Sequence, residues 1–452
     1  MLNYLNVEQL TAINNNVFRD KTVFLRVDTN STVVDGEIKP NERIVAAARA
    51  IRKMATSYGA KVIVGTHNGR EGDVNFVGTG FGLKSLRKQR LIGEIKYMGN
   101  TFEDDHLNDE AIREINRLRS GEALLLENLR FLPGETKGLS PEEHAKSEFI
   151  RDLIEKCRVE YYVLDAFSVA HRSHRSVVGF RDIPNIAGPE LHRELSAINE
   201  LKARFLDGET PSSIFILGGK KIQDYFTLIE RALKDNLVRK ILTGGLLANL
   251  CLFAAGYNVG EETRRLLMRR DSKGKSVWDY LPKVKELLQK YPDVFVLPVD
   301  VAGGDGSARV LYKVEDVPSD FCVYDIGNET VGLYEETIEE VIKTNPTGRE
   351  VMVYIKGPVG AYESPEYNFG SSQLLSLIRE PRYRDKIYTV IGGGDTTAML
   401  REFAIPESSL KHKHISLAGG ALIKMLAGET LPGVKALEES YLKFHEALGV
   451  DE

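Results

Sequence analysis

The chain has 452 residues, enough for two or three domains, and its 42% hydrophobic and 28% charged residues are the mixture of a globular protein. A formal net charge of −5 argues against nucleic acid or an anionic membrane as partner, so any anion site must be a local concentration of arginine. Cys157, Cys251 and Cys322 are too few and too widely spaced for a disulfide framework or a zinc site.

The amino-terminal residues lack the charged segment and apolar core of a secretory signal. No apolar run reaches the ~18 residues of a membrane helix. A cytoplasmic protein with no membrane partner is expected.

Short, β-rich, continuously apolar runs recur at 23–27, 61–66, 123–128, 161–166, 213–219, 240–245, 294–300, 351–357, 388–394 and 414–420. Such runs predict strands covered on both faces. Helix-like stretches such as 42–59 lie between many of them, and strand–helix–strand repetition predicts parallel α/β sheets. After Gly188-Pro189, Leu191, Leu195, Ile198, Leu201 and Phe205 recur at helical spacing. The expected organisation is therefore two doubly wound, Rossmann-like parallel-sheet domains joined by an interdomain helix and hinge. The domains run over 1–189 and 207–430, with the helix at 190–206 and a carboxyl-terminal segment at 431–452.

Ligands of such sheets bind beyond the carboxyl ends of the strands. In the first half those ends are rich in basic and polar groups. Arg26-Val-Asp28-Thr-Asn30 closes the first strand, and alternation puts Arg26, Asp28 and Asn30 on one face. Arg43 opens the next helix. His67 and Arg70 follow the second strand, Arg130 the third, and His171 and Arg172 the fourth. Any one of these reads as a solvated charge or an ordinary turn. Their recurrence at successive strand ends points to an anion, because guanidinium forks suit phosphate and carboxylate.

The second half has glycines at the corresponding places: Gly218-Gly219, Gly244-Gly245, Gly357-Pro358-Val359-Gly360, Gly392-Gly393-Gly394-Asp395-Thr396 and Gly419-Gly420. Glycine allows close backbone approach to a ligand, and a glycine turn into a helix presents N–H donors to a phosphate. None fits the G-x-x-x-x-G-K-[ST] phosphate loop or a dinucleotide fingerprint.

The runs RVDTN, THNGR, LLENLRF and DAFSVAHR, then LGGKKIQD, DIGNET, YIKGPVGAYE, GGGDTTA and LAGETLPGV, occur in one order. In that order the chain resembles the phosphoglycerate kinase family over nearly its whole length. The resemblance implies reversible phosphoryl transfer between 1,3-bisphosphoglycerate and Mg-ADP, giving 3-phosphoglycerate and Mg-ATP, by a protein that is a monomer. It also implies that the carboxyl-terminal segment packs back on the first domain. Carried over by position, it assigns Arg26, Asp28, Asn30, Arg43, His67, Arg70, Arg130, His171 and Arg172 to the acid substrate.

On the nucleotide side it assigns Gly218, Gly219, Gly244 and Gly245 to adenosine and Glu363 to ribose. Gly393, Gly394, Asp395 and Thr396 fall to the terminal phosphates, with Asp395 on Mg2+. Arg43 and Lys221 would neutralise charge on the transferred group.

The chain departs from the family pattern at Tyr225, where the family has a second lysine, at Lys356 for asparagine, at Leu417-Ala418, and at Asn68 and Glu71. Lys356, or else Lys220, is expected to supply the charge that Tyr225 lacks. These departures leave two alternatives, a kinase of another phospho-acid and an inactive nucleotide-binding paralogue. His174, His192, His412 and His414 read as surface or structural histidines.

Overall fold

The apolar runs of the first half form one six-stranded sheet, parallel throughout. The computed structural model describes residues 2–34, 37–38, 41–82, 95–206, 211–220, 222, 226–271, 274–304, 308–345 and 348–450, without the side chains of Glu37, Leu206 and Asp395. The strands are β1 (Thr22–Val27), β2 (Lys61–Gly65), β3 (Ile95–Tyr97), β4 (Ala123–Leu125), β5 (Tyr161–Asp165) and β6 (Asn185–Ala187), ordered β6-β5-β1-β2-β4-β3.

Both faces are covered, as continuously apolar strands require. On one face Ile44, Ala48 and Ile51 of α1 (Glu42–Arg52) join Val23, Leu25, Val62 and Val64 in the core. On the other, Phe24 and Tyr162 pack on Phe180, with ring centroids 5.0 and 4.3 Å apart. The chain runs one way from β1 to β2 and the other way from β5 to β6. The switch point of the sheet therefore lies between β1 and β5, where a crevice for ligand opens.

The helix expected over 190–206 is α2 (Pro189–Leu201), followed by a wider turn over Lys202–Leu206. Its predicted stripe from Leu191 to Phe205 is buried. The Asp165 carboxylate caps it, accepting from the backbone N–H of Glu190 (2.7 Å) and Leu191 (3.1 Å).

The second half repeats the plan. The strands are β7 (Ser213–Leu217), β8 (Lys240–Thr243), β9 (Phe295–Val296), β10 (Asp300–Gly303), β11 (Val310–Lys313), β12 (Val323–Ile326), β13 (Val351–Lys356), β14 (Ile387–Gly392) and β15 (Lys413–Ser416). A six-stranded parallel sheet has the order β9-β8-β7-β13-β14-β15, with its switch point between β7 and β13. The run 294–300, expected as one strand, is two. Leu297-Pro298-Val299 separates β9 from β10, because proline has no N–H for the ladder. β10 instead joins an antiparallel sheet, β11-β10-β12, which the sequence pattern did not predict.

The chain divides into two compact units, 1–199 with 429–452, and 200–428. Helix α3 (Pro432–Phe444) belongs to the first: Ser440 accepts from the Asn185 N–H (2.7 Å), and Arg181 pairs with Glu439 (2.6 Å).

Candidate active site

In the first unit the predicted acid-site residues gather at the carboxyl ends of β1, β2, β4 and β5. Arg26, at the end of β1, is fully buried. Its Nε donates to Ser176 Oγ (3.0 Å), one terminal nitrogen donates to the Val27 carbonyl, and the other lies 3.1 Å from His67 Nδ1. Asp28 accepts from the Asn30 N–H (2.8 Å) and from the Ser168 hydroxyl, and pairs with Arg43 at 3.3 Å. Asn30 accepts from the Gly69 N–H (2.9 Å), and Arg130 donates to the Gly69 carbonyl. Asn68 and Asn128 lock the loop: Asn128 donates to the carbonyls of Asn68 and Val77, each at 2.8 Å. Loops from different strands are thus bonded together through side chains.

The electrostatics show how closely the cations crowd. Burial, then the charges of Arg26, Arg130 and Arg172, hold His67 well below its ordinary value. Burial and the same arginines push His174 down to about 3. Arg130 itself falls to about 10 through burial and the charges of Arg172, Arg26 and Arg70. Arg172 is lowered by burial and Arg70, with Asp28 opposing. The buried Nε atoms of Arg130 and Arg172 have no hydrogen-bond partner among the described residues. Buried donors seldom stay unpaired, so an anion is the complement this cluster lacks.

Three participants escaped the sequence reading. Glu135 is fully buried behind Arg26 and accepts from the hydroxyl and N–H of Ser176 (2.6 and 2.9 Å). Burial raises its carboxyl above the usual range while Arg26 and Ser176 pull the other way. Ser168 carries a bond to Asp28. His174, expected at the surface or in a structural role, is buried inside the arginine field. Of the other histidines singled out, His192 bonds Tyr4 (3.0 Å), His412 pairs with Glu350, and His414 is buried.

The second unit makes its loops from backbone. At the switch point the Gly219 N–H donates to the Pro358 carbonyl (2.6 Å), and the Gly245 N–H to the Val359 carbonyl (2.8 Å). A Cβ at Gly218 would fall on the Pro358 carbonyl oxygen. Beyond β14 and β15, the GGGDT and AGG turns open α4 (Gly394–Glu402) and α5 (Gly419–Leu426).

Gly393 has φ +94°, and a Cβ there would lie 2.6 Å from Lys356 Nζ; the distance from a Cβ at Gly419 is 3.1 Å. The Lys356 ammonium therefore sits against both helix openings, where backbone N–H groups and a positive dipole end favour phosphate. Thr396, assigned to phosphate, is fully buried. Its hydroxyl accepts from the Gly357 N–H (2.8 Å) and lies 3.1 Å from the Gly392 carbonyl, so its side chain ties two loops together. Lys221 and Tyr225 lie outside the described residues, as does the side chain of Asp395.

Behind these loops is a cavity of about 710 Å³, lined by Gly219, Gly245, Pro358 and Glu363 among others. Its walls are largely apolar. Lys220 and Glu363 pair at 3.4 Å at its exposed edge, so Lys220 belongs to the cavity mouth and not to the helix openings. Among the described residues, no group of three His, Cys, Asp or Glu could hold a metal. Magnesium commonly takes one or two carboxylates plus substrate phosphates and keeps its waters. Asp395, the carboxylate assigned to magnesium, is the second residue of α4, and its side chain lies outside the described residues.

A model of the phosphoglycerate kinase family matches residues 13–429. The chain is 33% identical over 431 residues to the phosphoglycerate kinase of Methanopyrus kandleri, covering 95% of this chain and 98% of that one. It is 32% identical over 436 residues to that of Pyrococcus horikoshii, with coverage of 95% and 98%. The crystal structure of phosphoglycerate kinase from Pyrococcus horikoshii OT3 superposes with a TM-score of 0.82 at 31% identity, covering 97% of this chain and all (100%) of that one. That of the Coxiella burnetii phosphoglycerate kinase, at 24% identity and a TM-score of 0.67 over 96% of this chain and 99% of that one, shares the fold.

Proposed function

The chain belongs to the phosphoglycerate kinase family, and we propose that it transfers a phosphoryl group reversibly between 1,3-bisphosphoglycerate and Mg-ADP, giving 3-phosphoglycerate and Mg-ATP, in glycolysis and gluconeogenesis. The observation that carries this reading is the convergence of the buried Arg26 with the half-buried Arg130 and Arg172 around His67, with unpaired, buried Nε atoms on the last two arginines. A small acid bearing phosphate and carboxylate is the ligand that such a field suits.

Phosphoryl transfer asks for positioning and positive charge and for little covalent chemistry from the protein. In this reading Arg26, Arg70, Arg130 and Arg172, with His67 and His171, hold the acid. Asp28 and Asn30 set the loops and meet its hydroxyl side. Arg43, oriented by Asp28, faces the carboxyl oxygen that gains or loses the phosphoryl group. Gly218, Gly219, Gly244 and Gly245 bound the adenosine, and Glu363 meets the ribose. Gly393, Gly394 and Lys356 receive the terminal phosphates, Thr396 holding their loop in place. Lys221 and Asp395 keep their assigned roles as proposals. Magnesium on the nucleotide supplies charge neutralisation at the phosphates. Closure about 188–206, a monomeric state and a cytoplasmic site of action complete the proposal. No helix among the described residues is long and apolar enough to cross a membrane.

The test is an assay with ATP, magnesium and 3-phosphoglycerate, coupled to glyceraldehyde-3-phosphate dehydrogenase so that acyl phosphate is read as NADH loss. Sustained turnover is expected. ATP binding without turnover would overturn the substrate assignment and direct a panel of other phospho-acids.

A further inference from the structure

The cavity of the second unit has an apolar interior, with Leu246, Val301, Val323 and Val359 among its walls. Such walls suit the faces of a purine ring. They do nothing for its edge, whose amine and ring nitrogens need hydrogen-bond partners when taken from water. Most polar side chains of the lining are already engaged. Lys220 and Glu363 pair with each other. Asp325 accepts from the Gly370 N–H (2.9 Å) and pairs with Arg309 (2.8 Å).

Asn249 differs. It lies one turn beyond Gly245 on the helix Gly245–Ala254, lines the cavity, and is only 4% exposed. Its carboxamide makes no hydrogen bond to any described residue. Asparagine is a weak helix former, and this amide, which opens on the cavity, contributes no bond to the fold. Leucine would serve both helix and wall better. The residue makes sense when its partner is a ligand.

We propose that Asn249 reads the base of the bound nucleotide, its carboxamide oxygen accepting from the exocyclic amine of a 6-aminopurine and its amide donating to the neighbouring ring nitrogen. This rests on the assignment of the cavity to the nucleoside made above. A carboxamide matches that donor–acceptor edge in both directions. The glycines shape the cavity for any purine, and Asn249 makes it select among them.

The experiment is calorimetric titration of the full chain with ADP and with purine riboside 5′-diphosphate, which lacks only the amine. ADP is expected to bind roughly 10- to 100-fold more tightly. Asn249→Leu, which keeps the volume, should weaken ADP to the level of the analogue and leave 3-phosphoglycerate affinity unchanged. Asn249→Ala should do the same and covers the case in which leucine does not fit. Equal affinity of the unaltered protein for the two nucleotides, or an ADP preference that survives in either variant, would overturn the role of Asn249 alone. Binding of neither nucleotide would overturn the assignment of the cavity as well.

Discussion

The two candidate sites, each proposed to hold an anion, are built from different materials. In the first unit the donors are side chains. Arg26, Arg130 and Arg172 converge from three strand ends and are braced by Ser176, Asp28, Asn30 and Asn128. In the second unit the loops are backbone packed on backbone, Gly219 on Pro358 and Gly245 on Val359, with Lys356 the cation against the helix openings among the described residues. The first arrangement carries strong fixed charge and must hold it against mutual repulsion. The second carries little charge of its own and depends on shape. Substitutions should therefore fail differently in the two units.

The largest effect is expected where charge is buried. Arg26→Met leaves Ser176, the Val27 carbonyl and His67 without their partner and removes the charge that opposes the burial of Glu135. Breaking a buried charged network by removing one member costs about 3–5 kcal/mol. Thermal and denaturant unfolding should show that loss, together with weakened 3-phosphoglycerate binding. Unchanged stability would mean that the acid site is not braced as the first half of the comparison holds.

Lys356→Ala comes next. Loss of one charge-stabilising donor at a developing anion raises the barrier by on the order of 3 kcal/mol, or roughly a hundredfold in rate. The loss should fall on kcat, with the KM for 3-phosphoglycerate and the unfolding midpoint near their original values. A kcat within twofold of the original would show that the helix openings suffice without the lysine.

Gly218→Ala tests the backbone side directly. The added methyl meets a carbonyl oxygen of a neighbouring loop, which cannot rotate away as a side chain could. Overpacking of this kind costs about 1–3 kcal/mol. Titration should show weaker ADP binding with acid affinity intact. An unaltered ADP affinity would separate these glycines from the nucleotide.

The same contrast explains what the sequence revealed. A strand shows itself as a continuous apolar run, and a recurring strand-end arginine is a chemical signal that survives without coordinates. Arg26, His67, Arg130 and Arg172 were found in that way. Glu135 was not, because a lone glutamate in a proline–glycine loop looks like any solvated charge until the fold buries it. His174, read as a surface or structural histidine, is buried among the arginines. Asn249 was hidden inside an apolar helix whose pattern says core and nothing more. The break between β9 and β10 was signalled by Pro298. The apolar residues on both sides, Val294 to Val301, outweighed it in a reading based on hydrophobic continuity. Local pattern reports burial and recurrence, whereas a residue's partner across the sheet is a property of topology.

The last predicted effect vanishes at neutral pH and grows only in acid, and it again separates the units. Folding depresses His174 from 6.5 to about 3 and holds His67 well below 6.5, so both are neutral in the folded protein at neutral pH. Below pH 6.5 the unfolded chain binds protons that the folded chain refuses, and stability falls with pH. The contribution of His174 is therefore present in full above pH 6.5 and is lost between 6.5 and about 3, at no more than about 1.4 kcal/mol per pH unit. His174→Gln, which cannot take up the proton, should flatten that part of the stability–pH curve. The KM for 3-phosphoglycerate of the unaltered protein should show no titration of His67 or His174 from pH 6 to 8. A curve as steep in the variant as in the original would place the acid sensitivity elsewhere, with the carboxylates and not with the crowding of cations around the acid site.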